Sequence, residues 1–152
     1  MKDIESLTNV LEAETEVAGG IYDHLTREQE AIIGVSAEGL AASVRAGTML
    51  LKPLEELEHE RARCTEEIGK RLFPEGSPQL RRMNVRELVR YLPSADALVV
   101  SGAANRLRSV VENIVAVNGR NRVLLERSRR FVDETLRIVT YDHTRSLIDQ
   151  RM

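Results

Sequence analysis

Glu56 and His59 stand three residues apart, the Glu-x-x-His spacing that sets two metal ligands on one face of a helix in di-iron bundles. Such a centre needs a second copy of the motif. Ile21 precedes His24 at the matching distance and Thr140 precedes His143, so neither of the other two histidines repeats it, and no metal centre is expected. Glu55, Glu56, Glu58 and Glu60 form an acidic face whose ordinary role is solvation or pairing with nearby arginines. There is no glycine-rich phosphate loop and no Ser/His/Asp set on a strand-to-helix turn, so nucleotide binding and nucleophilic catalysis find no support. The expectation is a protein that is not an enzyme and carries no cofactor. Cys64 is the single cysteine, which excludes an internal disulfide, and its spacing with Leu57 and Ile68 predicts a buried structural thiol.

With chemistry set aside, the informative residues are those that build packing surfaces. From Leu107 to Val139 a coiled-coil spacing persists in two rows. One row is Val110, Ile114, Val117, Asn121, Leu124, Ser128, Phe131, Thr135 and Ile138. The other is Leu107, Val111, Ile114, Asn118, Asn121, Leu125, Ser128, Val132, Thr135 and Val139. They share a largely polar column, Ile114, Asn121, Ser128 and Thr135, which suits a helix packed against two neighbours rather than a two-stranded zipper.

The elements that present these rows can be read along the chain. Ile4, Leu7, Leu11, Ala18, Tyr22, Leu25 and Ile32 predict a first helix over residues 3–34, with Asp3 as its N-cap. Gly19 and Gly20 inside it imply a bend, a close backbone approach or local softness. Gly34 and Ser36 end it and cap a second helix from Ala37 to Leu72, buried through Leu40, Val44, Leu50, Leu54, Leu57, Cys64, Ile68 and Leu72. Pro53 predicts a kink or a division in that helix, and the kink is the favoured reading. The stretch Phe73 to Pro78 marks the main loop, and Asn84 with Glu87 has the spacing of a capping box opening a short helix through Tyr91. Ser94 can cap the last helix, expected to run from Ala95 to about Thr140, with residues 141–152 as a mobile tail. The fold expected is all-α: one domain, an elongated antiparallel bundle of three long helices plus one short helix.

Composition agrees with this. Of 152 residues, 3% are aromatic and 30% charged, with no Trp, which favours aliphatic stripes on long helices. No stretch reaches the ~18 apolar residues of a membrane span, and the opening MKDIESL lacks the pattern of a signal peptide, so a cytoplasmic protein without membrane insertion is expected. Residues 1–60 hold 13 acids and 4 bases, and residues 61–152 hold 11 acids and 18 bases. That asymmetry fits an acidic helix lying along a basic one, and because Glu126, Asp133 and Glu134 interrupt the arginines of the last helix, no nucleic-acid partner is expected.

The segment VNGRNRVLLERSRRFVDETLRIV, Val117 to Val139, resembles the C-terminal signature of the FlgN family of flagellar export chaperones. The likeness rests on its two asparagines, double leucine, serine, phenylalanine and Glu-Thr-Leu ending. The earlier helices agree in outline, through a long acidic first helix and the Leu57-Glu58-His59-Glu60-Arg61 element of the second, although Pro53 interrupts a helix that is usually unbroken in that family. The resemblance implies a cytoplasmic chaperone that binds the C-terminal helical regions of hook-filament junction proteins, prevents their premature assembly and delivers them to the flagellar type III export gate. It implies no cofactor. On that reading the partner-binding residues are Leu125, Phe131, Val132, Leu136 and Val139, with Asn118 and Asn121 setting register or contact. The competing reading is a structural coiled-coil module using the same rows for self-association, and whether the free chain is a monomer or a homodimer is left open.

Overall fold

The computed structural model describes residues 2–34, 37–76 and 83–151, with residue 37 and the last ten by backbone alone. Helix α1 spans Lys2–Ile33, α2 Ala37–Leu72, α3 Val85–Leu88 and α4 Ser94–Arg151, with a 3-10 turn at Val89–Tyr91. No strand occurs among the described residues, and the fold is all-α as expected. The expected Ser36 cap, and Ser77 and Pro78 of the main loop, lie outside the described residues.

Contacts between elements give direction to the bundle. Asp3 meets Arg71, Glu14 meets Arg61 and His24 meets Ser43, so α1 and α2 are antiparallel. Glu12 meets Arg106 and Asn121 meets Leu25, so α1 and α4 run in the same direction. The chain therefore goes up, down and up. Helix α1 lies between the other two, packing extensively on both, while α2 and α4 scarcely touch. This corrects the expectation that the last helix packs against two long neighbours, because α1 separates it from α2.

Most of the core gathers at one end. Leu7, Leu11, Ile68, Leu88 and Val100 are fully buried there, with Cys64, Met83 and Val85 beside them. The chain turns back through Phe73, whose ring meets Tyr91 edge-on at 5.0 Å, and the expected capping box is present at Asn84. Its side chain accepts from the Glu87 backbone at 2.9 Å, and Glu87 Oε2 accepts from the Asn84 backbone at 3.1 Å. This short brace closes the end of the bundle that α2 and α4 leave open.

Several local expectations change. Asp3 sits within the first turn of α1 and gives its carboxylate to Arg71 instead of capping the helix. Helix α2 stays undivided at Pro53, as favoured, but its central and N-terminal part, expected to be buried, is only half-buried or exposed, Val44 included. The close backbone approach suggested for Gly19 and Gly20 is absent, since a Cβ at either would meet nothing within 4 Å. Gly47 instead makes room for a side chain, since a Cβ there would come within 3.0 Å of His24 Nε2. That ring nitrogen donates to the Ser43 carbonyl at 2.7 Å, tying α1 to α2. The helical bonding of α4 opens with Ala97 donating to the Pro93 carbonyl, placing Ser94 inside the first turn, and α4 continues through 141–151, beyond the end expected at Thr140.

Glu14, 1% exposed, faces Arg61 across the α1–α2 seam at 2.9 Å. Burial pushes its carboxyl above the ordinary range, and the charge and hydrogen bond of Arg61 offset part of that rise. Removing the arginine strands a buried carboxylate. Arg61→Ala should cost about 2 kcal/mol at neutral pH, below the usual figure for a buried pair because Arg61 is partly hydrated. A buried acid with a raised folded pKa costs stability as pH rises through that pKa, so the deficit should shrink between neutral and acidic pH as Glu14 protonates. Urea denaturation followed by circular dichroism at both pH values measures it.

Candidate functional site

The separation of paired residues on α1 and α4 is 94 at Glu12–Arg106 and 96 at Leu25–Asn121. Extending that offset sets Ile33, the last residue of α1, level with about residue 128 of α4. Helix α2 begins at the same end, so beyond Ser128 the last helix has no helical neighbour among the described residues. At a rise of ~1.5 Å per residue, this overhang to Arg151 extends about 35 Å.

Along α4 the face turned to α1 can be followed residue by residue. Val100, Ala103 and Val117 are buried, and Leu107, Val110, Ile114, Leu124 and Ser128 are partly covered. The same spacing then continues into residues that nothing covers. Phe131 is 70% exposed, Val132 45%, Leu136 59% and Val139 59%, with Ile138 and Tyr141 also exposed. Full burial of such side chains is worth roughly 1.5–3 kcal/mol each, so leaving them in water forgoes stabilisation that the lower half of the helix obtains from α1. An exposed apolar stripe of this length on a charged helix is an interaction surface in waiting.

The residues expected to bind a partner divide into three groups. Phe131, Val132, Leu136 and Val139 share the overhang. Leu125 is partly covered at its base, and Asn118 is exposed lower on the helix. Asn121 lies inside the bundle, only 2% exposed, and its Nδ2 donates to the Leu25 carbonyl at 2.9 Å. Its place is therefore in the α1–α4 seam, away from the open surface, because α1 reaches past it. Ile138 and Tyr141 join the exposed set. Ile138 stood in the first sequence row, whereas Tyr141 fell beyond the expected helix end.

Three other places bear on chemistry. Glu56 and His59 are exposed, and His59 Nδ1 donates to the Glu55 carbonyl at 2.7 Å. Among the described residues no three His, Cys, Asp or Glu side chains are grouped to hold a metal ion. Between α2 and α4, roofed by α3, lies a cleft of about 570 Å³ with Leu11, Arg61, Val85, Leu107 and Arg108 in its walls. It contains no nucleophile paired with a base. Cys64 is buried beneath the α2 surface, and burial raises its thiol pKa, with Glu60 and Glu67 adding to the rise, so it is poorly suited to reactivity. No helix of the described residues is long and apolar enough to cross a membrane.

A braced three-helix bundle with one helix projecting bare, apolar and flanked by charge offers an uncovered surface to another molecule. The comparison with family profiles agrees: the profile described as FlgN protein matches residues 1–148, nearly the whole chain. The chain belongs to the FlgN family, and its general role is that of a flagellar export chaperone. Searches of curated proteins and of solved structures each returned no match.

The buried Asn121 invites a test of the seam. Its Oδ1 is enclosed without a hydrogen-bond partner, a cost that an apolar side chain of similar size would remove. Asn121→Leu should therefore leave stability unchanged or raise it by up to about 1 kcal/mol, as read by thermal denaturation; a clear loss would show that the Leu25 bond outweighs the enclosed oxygen.

Proposed function

We propose that this chain is a cytoplasmic flagellar type III export chaperone that receives the C-terminal helical region of hook-filament junction proteins on the α4 overhang. It holds that region unassembled and delivers it to the export gate. The observation carrying the reading is the uncovered apolar row Phe131, Val132, Leu136 and Val139 on a helix whose lower half is already helix-bound. Leu125 lies at the base of the surface and Asn118 on its approach.

Physical chemistry favours a helical ligand. An amphipathic segment destined for a polymer is masked best by another helix presenting anchors at matching spacing. The gain from covering several such side chains must exceed the cost of association and of ordering the segment, which leaves a complex tight enough to hold and weak enough to release. Reversibility matters because an exported protein must part from its chaperone.

Val132→Ala with Leu136→Ala should sharply reduce capture of a C-terminal fragment of a junction protein in a pull-down. Circular dichroism should remain that of the parent, since neither side chain supports the bundle. Loss of helicity, or capture at parental level, would sink the proposal. Light scattering of the parent separates the self-association reading, in which the chain pairs with itself at comparable affinity and ignores the fragment.

A further inference from the structure

The covered half of α4 shows what kind of helix its face accepts. Helix α1 brings an aliphatic stripe, Ile4, Leu7, Leu11, Ala18 and Ile21, together with an excess of acids over bases. One of those acids, Glu12, reaches Arg106 on the flank of α4 at 3.5 Å. Arg106 belongs to a heptad column that continues through Asn113, Arg120 and Arg127. Arg127 is thus three heptads further along the same flank, at the level where α1 ends. It lies next to Ser128 at the start of the overhang, and Arg129 flanks the other side.

We infer that Arg127 is a specificity-determining contact: it selects an amphipathic partner helix that carries a carboxylate on the facing flank and lies along α4 as a continuation of α1. The inference rests on the proposed function and narrows the class of cargo helix that this surface accepts. Two observations carry it: the overhang continues an interface that is already helix-filled, and the flank uses for α1 the charge pairing that Arg127 is placed to repeat. A rim ion pair of this sort contributes modestly to affinity and more to choice of partner and register. The apolar row provides the holding energy. A basic-flanked helix with the same stripe would meet like charge at Arg127 and bind less well.

The test uses the full chain and a fluorescently labelled C-terminal helical fragment of a junction protein, followed by anisotropy. Arg127→Glu should weaken binding about fivefold at low salt, with the difference shrinking at high salt as screening removes the pair. Replacing the fragment's flank acids by lysine one at a time should identify one whose exchange restores binding to Arg127→Glu. Unchanged binding by Arg127→Glu, or restoration by no exchange, overturns the inference. If Val132→Ala with Leu136→Ala weakens binding while Arg127→Glu does not, the cargo surface stands and the charge selection falls. If neither change matters, both fall. Sedimentation showing this face occupied by a second copy of the chain at assay concentration also overturns the inference.

Discussion

Everything in this bundle depends on α1 being covered from two sides. Its residues Leu7, Leu11, Ala18 and Ile21 are buried, and α2 and α4 supply that cover while scarcely meeting each other. Such an arrangement makes the length of one helix decisive. Where α1 stops, the reason for α2 and α4 to remain together stops too, and whatever lies further along α4 faces water. The functional surface is therefore created by an inequality of helix lengths, with no pocket required.

Polar residues within the seams set position more than they add stability. Glu14 is held beneath Arg61 at a desolvation cost, Asn121 spends one amide hydrogen on Leu25 and leaves its oxygen enclosed, and His24 crosses to Ser43 over Gly47. Aliphatic substitutes could hold the helices as firmly, but they would permit sliding, since one leucine layer resembles the next. A buried polar contact satisfied at a single offset penalises every other register. For a protein whose exposed surface is defined by where α1 ends against α4, a slip of one heptad would shorten or lengthen that surface by about 10 Å.

Most of the architecture was legible because aliphatic periodicity over long helices is a strong signal. The limits of α2, the capping box at Asn84 and the rows of α4 could all be read directly. Three things escaped. The end of α4 was placed at Thr140 because periodicity weakens there, although a charged helix can continue without a stripe. Asn121 was given as a register or contact residue without a choice between the two, because spacing reveals which side of a helix a residue occupies, not how far a neighbouring helix extends. Glu14 went unremarked, although a carboxylate in step with Leu7, Leu11 and Ala18 points to a buried pair, and its partner Arg61 lies 47 positions away, where local periodicity has no reach. The overhang residues were named from family likeness and row membership, but their exposure depends on tertiary arrangement.

The offset between α1 and α4 has a consequence for the order in which the molecule comes into being. Helices α1 and α2 are neighbours in the chain and can pair early, whereas α1 must wait for contacts nearly a hundred positions downstream. As the chain emerges from the ribosome, the stretch of α4 that completes the bundle appears before the bare stretch beyond Ser128. Own-chain helices thus have the first opportunity to claim their partners, and the sticky end arrives once the competing seats are filled. Synthesis order itself helps to keep the surface free for another molecule.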